Sequence, residues 1–457
     1  MDMSLSTKSI KELSLLIKNR EIQVIELMHA MLQKINKMND ALNAFITINP
    51  EAEAIAHEMD RQLALGNGEG ALFGIPIGVK DMVYTRGMRT TMGSKIYEHF
   101  VPEKDAEVVK RLKYAGAIMI GKTNTHQFAY GPTGDRSYFG PMRHPYDTTK
   151  MAGGSSGGSA SSVTAGLCSG SIGTDTSGSI RIPSAFCGLV GMKATNGSVP
   201  VDGVHPLSET LDCVGPMTKN VADNAILLDV LKGNHVGNPF DSHMTDDITD
   251  LTVGIPHPFF LDDINEEVEA NFRKVKGLLR RAGVKVYDIH IPDVDKMLDA
   301  QKIIIAYESY QVHEENVNRF PDDWDPEVKE RIEKSVQTKE AYTEALKRKY
   351  TFKEIFRTAM KDVDALVTPT ISIPTPDIDQ RVIHHSIGDG EKVTADVRSS
   401  ITRLTAPTNI IGLPSLTLPT GLSNAGLPIG TQLIGKENDE AVLYQIGRVL
   451  EMQGVGE

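Results

Sequence analysis

Cysteine is scarce in this chain: 457 residues carry three, Cys168, Cys187 and Cys213. They show no short metal-type spacing, and buried free thiols in a reducing cytoplasm are the simple expectation. Basic residues are outnumbered, 48 Lys and Arg against 60 Asp and Glu, for a net charge of -12. That balance argues against a sequence-independent grip on nucleic-acid phosphates. No apolar run reaches the roughly 18 residues that would span a bilayer. The N-terminus, MDMSLSTKSIKELSLL, carries acidic residues and has no small-residue cleavage site after an apolar core, so it does not read as a secretory signal. No composition break, charge run or repeat divides the chain. With 40% hydrophobic residues it can build a sizeable core, and one large domain over 1–457 is expected.

What is abundant is glycine and serine in one place. Residues 153–187 read GGSSGGSASSVTAGLCSGSIGTDTSGSIRIPSAFC, with ten serines, eight glycines and no lysine. A flexible linker has this composition. However, Ser159 to Cys168 is mostly small residues suited to a tightly packed helix. The stretch Ile180-Arg181-Ile182-Pro183 then resumes an apolar pattern that a linker does not need.

Strand and helix patterns alternate around this stretch. Helices are expected over 8–36 (broken near Asn19-Arg20), 52–64, 106–114, 221–232, 265–282 and 440–450. Strands are expected over 42–48, 72–79, 188–193, 251–256, 284–289 and 364–370. A hairpin is expected from 415–419 and 428–434 around Asn424-Ala425-Gly426. Residues 296–361 read as helical and charged, with Tyr307, Tyr310 and His313 on a face that suits core. Residues 374–395 read as loop, with His384-His385 at the surface.

Two motifs mislead. Gly116-Ala117-Ile118-Met119-Ile120-Gly121-Lys122-Thr123 fits a phosphate-loop pattern, but its interior is itself a strand and Gly116 reads as the cap of the preceding helix. Gly153-Gly154-Ser155-Ser156-Gly157 fits a hydrolase nucleophile elbow, but what precedes it is too polar for a central strand. His126 and His144 are isolated, and no Cys/His cluster supports a metal.

Three landmarks carry a family resemblance: Gly78-Val79-Lys80-Asp81, Gly153 to Ser159, and Gly173-Thr174-Asp175-Thr176-Ser177-Gly178-Ser179-Ile180-Arg181. Lys80 lies 75 residues before Ser155, and Ser155 lies 24 before Ser179. With these intervals the chain resembles the amidase signature family, most weakly between about residues 285 and 400. The resemblance implies an α/β fold with a large mixed β-sheet sandwiched by helices on both faces. It implies a catalytic set of Lys80, Ser155 and Ser179, with a cis peptide between Gly154 and Ser155. Ser179 would attack an amide carbonyl, and neutral Lys80 would draw its proton through Ser155. For that, the lysine pKa must fall from about 10.4 to roughly 7–8. Backbone N–H groups of Thr176, Ser177, Gly178 and Ser179 would form the oxyanion hole. Ser177 departs from the family, which usually has glycine there. Asp175 and Arg181 read as structural charges holding this loop. Ala129 would approach the substrate, flanked by Phe128 and Tyr130.

The main expectation is a self-contained amide hydrolase of the cytoplasm. It would need no metal or cofactor, and its partners would be a small-molecule amide, carbamate or urea-type substrate and at most a second copy, with no nucleic acid and no membrane. The alternative is the amidase (A) subunit of a glutamine-dependent glutamyl/aspartyl-tRNA amidotransferase. That group carries an acid in the segment matching Ser399 to Pro407, for the substrate's amino group. Ser399-Ser400-Ile401-Thr402-Arg403-Leu404-Thr405-Ala406 has none, which counts against it. A non-catalytic relative would lose a member of the set, and none is lost.

Overall fold

Strand propensity in short runs of Val, Ile, Leu, Thr and Gly builds the centre of the protein. A computed structural model describes residues 3–233, 240, 247–334, 336–388 and 390–453. Its strands are β1 (Phe45–Ile48), β2 (Pro76–Lys80), β3 (Ile118–Thr123), β4 (Gly170–Asp175), β5 (Val190–Lys193), β6 (Cys213–Thr218) and β7 (Thr252–His257). They continue as β8 (Lys285–His290), β9 (Ala365–Pro369), β10 (Val382–Ile387), β11 (Glu391–Asp396), β12 (Ser415–Leu422) and β13 (Pro428–Gly435). Eleven form one mixed sheet in the order β1-β3-β2-β4-β6-β5-β12-β13-β9-β7-β8, and β10-β11 form a separate hairpin. Helices flank the large sheet, as expected from the sequence.

The sheet is parallel where the landmarks fall. β2 runs parallel to both β3 and β4, with Val79 opposite Ile172. Parallel neighbours end at the same edge of a sheet, so Lys80 at the end of β2 and Asp175 at the end of β4 arrive together. Ligands in such sheets sit beyond the carboxyl ends of strands. The serine-rich helix Gly157–Thr164 lies against this region with every residue through Val163 buried. Its small side chains are a packing requirement. A Cβ on Gly158 would sit 2.5 Å from the Ala44 carbonyl oxygen and from Asn124 backbone atoms. The linker reading is thereby excluded.

The amphipathic N-terminal pattern gives helices Ile10–Lys18 and Val24–Leu42. Ser9 and Glu12 close a capping box on the first. Leu13 and Ile17 are buried beneath it, each contributing about 1.5–3 kcal/mol of apolar burial. Leu42, expected in a strand, ends the second helix, because Asn43 takes a left-handed φ of 53° and stops it. The strand then starts at Phe45.

The charged segment forms helices Val294–Arg319, Pro326–Lys334 and Lys339–Ala359. A second apolar core beneath two of them joins Ile304, Phe356, Leu366 and Ile410. His313 is buried as core, while Tyr307 is half-buried and stacks on Tyr342 with ring centroids 4.2 Å apart. The 415–434 hairpin is present as β12-β13. Residues 374–395 correct the loop expectation: Val382 to Asp396 is a two-stranded hairpin whose alternation of half-exposed polar residues hides it from hydrophobic patterning. Cys168, Cys187 and Cys213 are free and buried. Among the described residues no helix is long and apolar enough to cross a membrane.

Candidate active site

Lys80 leaves β2 with no exposed surface. Its Nζ donates to Ser155 Oγ at 2.7 Å and to Thr174 Oγ1 at 2.7 Å. Burial disfavours the ammonium and lowers the Lys80 pKa to about 7, against the opposing pull of Asp212 and Asp175. A substantial share of this lysine is therefore a neutral amine near neutral pH. The Gly154–Ser155 peptide is cis.

Ser179 follows β4 through a short loop and is 7% exposed, facing a cavity of about 910 Å³. Its carbonyl accepts from Ser156 N at 3.3 Å, which ties the two serine segments together. Among the described residues no hydrogen bond joins the Ser155 and Ser179 hydroxyls. The lysine-to-Ser155 leg is made, while the Ser179 hydroxyl faces the cavity.

The four expected backbone donors divide. Thr176, Ser177 and Ser179 line the cavity, and their N–H groups make no hydrogen bond among the described residues. Gly178 differs: its N–H donates to Asp175 Oδ1 at 2.7 Å, so three of the four expected donors are unengaged. Ser177, the departure from the family pattern, is accommodated. Its hydroxyl accepts from Gln301 Nε2 at 3.3 Å, and its carbonyl accepts from Thr405 Oγ1 at 2.6 Å.

Buried charge fixes the loop. Arg181 Nε and Nη2 donate to the two oxygens of Asp175, each at 3.0 Å, with both side chains fully buried. Arg181 also donates to Thr408 Oγ1, Gln432 Oε1 and Asn409 Oδ1, each at 2.6 Å. With this guanidinium beside it, Asp175 is held well below the usual carboxylate range despite its burial. Asp212 accepts from Thr176 Oγ1 at 2.5 Å and from the backbone of Leu207 and Ser208. Burial raises its pKa to about 6.

The expected substrate neighbours separate as well. Ala129 and Tyr130 line the cavity. Phe128 does not: it is fully buried in an aromatic cluster, 4.4 Å from His313 and 4.8 Å from Trp324 between ring centroids. Phe128 and Ala129 have φ of 53° and 57°, a left-handed pair that turns the ring inward. His385 of the β10-β11 hairpin lines the cavity wall, whereas its neighbour His384 is exposed. Thr174 stands inside the third landmark with no role assigned to it there, and Asp212 and Gln301 carry no motif. Thr174 lies in β4 and Asp212 just before β6, strands that hydrophobic patterning misses. The phosphate-loop lookalike lies in β3, where Lys122 is buried and donates to Thr90 Oγ1 and the Val83 carbonyl.

Residues 26–443 match the family model described as Amidase. The A subunit of glutamyl-tRNA(Gln) amidotransferase from Exiguobacterium sibiricum is 34% identical over 98% of both chains. The A subunit of glutamyl-tRNA(Gln) amidotransferase from Thermotoga maritima superposes with a TM-score of 0.80 at 30% identity, over 99% of this chain and 96% of that one. A further solved structure superposes with a TM-score of 0.92 at 29% identity, over 98% of this chain and 99% of that one. It comes from a vestigial protein complex that bears on the origins of an s-triazine catabolic enzyme. These findings correct the expected partners. The expectation was a small-molecule amide, no nucleic acid and at most a second copy. The curated relatives are by name subunits of an enzyme whose substrate is a tRNA.

Proposed function

Because the chain belongs to the amidase family, enzymes acting on carbon–nitrogen bonds, we propose that it is the ammonia-releasing A subunit of a tRNA amidotransferase. The reading is carried by the end-to-end match, at 34% identity over 98% of both chains, to a protein of that name. It replaces the self-contained hydrolase as the better-supported reading.

In the proposed chemistry, Ser179 Oγ bonds to the carbonyl carbon of a donor amide. Its proton passes to Ser155 as the Ser155 proton passes to neutral Lys80 Nζ. A serine hydroxyl needs such a base at neutral pH, and the 2.7 Å Lys80–Ser155 bond supplies the first link. Negative charge developing on the carbonyl oxygen meets the free N–H groups of Thr176, Ser177 and Ser179. Losing one such donor costs about 3–4 kcal/mol of transition-state stabilisation. The relay then returns a proton to nitrogen, the C–N bond breaks, and ammonia leaves an acyl-Ser179. Water, deprotonated by the same relay, releases the carboxylate and restores Ser179.

The test recovers the tagged chain with its associated subunits from the cells that make it. Amide-dependent conversion of glutamyl-tRNA(Gln) to glutaminyl-tRNA(Gln) is then assayed for wild type and Ser179→Ala. Conversion by the wild type alone is the expected result. A wild-type preparation that cleaves amides at full rate without partners and never amidates the tRNA overturns the proposal.

A further inference from the structure

Helix Val294–Arg319 comes from the charged stretch where the family resemblance is weakest, yet it reaches the loop that carries Ser179. Gln301 and Glu308 lie seven residues apart on one face of it, and both are buried. Gln301 lines the cavity together with Thr176, Ser177 and Ser179. Its Nε2 donates to the Thr176 carbonyl at 3.2 Å and to the Ser177 hydroxyl at 3.3 Å. Among the described residues no other donor reaches that carbonyl. Glu308 holds the neighbouring loop. It accepts from the Ser208 and Thr210 hydroxyls, from Thr210 N at 3.1 Å and from Tyr342 Oη at 2.7 Å. That loop carries Asp212, whose carboxylate accepts from Thr176 Oγ1 at 2.5 Å. One helix therefore fixes Thr176 twice, directly at its carbonyl and through the Asp212 loop at its hydroxyl.

The carbonyl of Thr176 and the N–H of Ser177 belong to one peptide. That unit is planar and trans, so its C=O and N–H point in opposite directions. Fixing where the oxygen points fixes where the hydrogen points. The Ser177 N–H makes no hydrogen bond among the described residues and belongs to the loop that lines the cavity. A carbonyl that accepts a hydrogen bond also polarises its own peptide, which strengthens the N–H as a donor. Without Gln301, a buried carbonyl loses its partner and the peptide is free to turn about its flanking dihedrals.

Resting on the amide chemistry proposed at Ser179, we infer that Gln301 is a positioning residue for the oxyanion hole. It sets the Thr176–Ser177 peptide so that the Ser177 N–H meets the carbonyl oxygen of the donor amide. Its effect falls on the transition state, where negative charge sits on that oxygen, and not on ground-state binding. The Thr176 carbonyl carries the effect, and the Ser177 hydroxyl is a secondary acceptor for the same nitrogen.

The experiment measures ammonia release from glutamine by the chain with its co-purified subunits. Wild type is compared with Gln301→Met, which keeps length and bulk, and Gln301→Glu, which keeps shape but cannot donate when ionised. Thermal unfolding selects the variants that are folded. In Gln301→Met, kcat should fall by about 30–100-fold while KM stays within about threefold. Its acid limb near pH 7 should stay in place, because Lys80 and Ser155 are untouched. Gln301→Glu brings negative charge towards the developing oxyanion and should lose more. The Gln301→Met loss should persist in a Ser177→Gly background. Modification of Ser179 by methanesulfonyl fluoride, which needs no amide donor, should slow by about tenfold or more. A folded variant with unchanged kcat overturns the inference. A raised KM at unchanged kcat overturns it too, since Gln301 would then be a contact for the donor. A loss that vanishes in the Ser177→Gly background also overturns it, by reducing Gln301 to a partner for the serine hydroxyl. A wild type that reacts with the sulfonyl fluoride but never amidates tRNA removes the amidotransferase role and leaves the Gln301 effect measurable, so the two fail separately.

Discussion

Lys80 Nζ and Ser155 Oγ lie 2.7 Å apart with neither side chain exposed to solvent. A permanent ammonium at this position would carry a large desolvation penalty, and burial lowers its pKa to about 7. Above that value the dominant form is an amine, which can accept a proton from the serine it touches.

The direction of the pH profile follows. In the proposed relay the active form is the deprotonated one, so kcat/KM should rise as pH increases through about 7 and level off above it. Lys80→Arg has no neutral form in this range and should lose at least about 10³ in kcat/KM while staying folded. Rates of ammonia release between pH 5.5 and 9, at about half-unit steps, decide the matter. A flat wild-type profile would remove Lys80 as the base.

Asp212 offers a finer test. Its charge is the leading influence opposing the fall in the Lys80 pKa, and its own pKa of about 6 leaves it mostly ionised at pH 7. Asp212→Asn removes that charge and should shift the acid limb of the profile to lower pH. Loss of the Thr176 hydrogen bond should also reduce kcat by about 10-fold or more, since Thr176 is one of the proposed oxyanion donors. A reduced rate with an unmoved limb would make Asp212 a scaffold for Thr176 and nothing more.

The Asp175–Arg181 pair is expected to dominate acid stability. Arg181→Met leaves Asp175 a buried carboxylate without its guanidinium, a loss of about 3–5 kcal/mol in urea unfolding. The folded pKa of Asp175 is lowered, so its stabilisation is complete above the unfolded value of about 3.9 and is lost as pH falls below it. Wild type should therefore lose stability more steeply than Arg181→Met below about pH 4. Parallel acid slopes would show that other carboxylates control the transition.

Legibility in the sequence follows the kind of residue. Lys80, Ser155 and Ser179 stand in short motifs at fixed intervals, which is what carries the family resemblance; of the three, the fold joins Lys80 and Ser155 by a hydrogen bond. The long amphipathic helices, such as Glu266–Arg281, are visible because their apolar faces repeat. Strands β4 and β6, reading GSIGTD and CVGPMT, escape because small residues at a crowded sheet centre lack strand propensity. Gln301 and Asp212 reach the site through long-range packing, which no short window records. Ring chemistry alone places Phe128 in the pocket, whereas its positive φ turns it into the core. The absence of an acid between Ser399 and Ala406 counts, on sequence alone, against an amidotransferase role.

Gly178 allows the oxyanion loop to be tested without touching a reacting group. Its φ is 125°, and a Cβ there would meet Thr405 Oγ1 at 2.2 Å and Thr405 Cβ at 2.7 Å. Thr405 cannot simply retreat, because its hydroxyl donates to the Ser177 carbonyl at 2.6 Å and so orients the peptide whose neighbours face the cavity. Gly178→Ala should cost about 1–3 kcal/mol of stability through the forced backbone alone. It should also lower kcat by about 10²-fold through misplaced donors. Adding Thr405→Ala relieves the collision but also removes the hydrogen bond. The double variant should regain part of the stability, measured by thermal unfolding, without regaining turnover. Recovery of both together would mean that the clash was the whole effect and that the Thr405–Ser177 bond does not set the donor geometry.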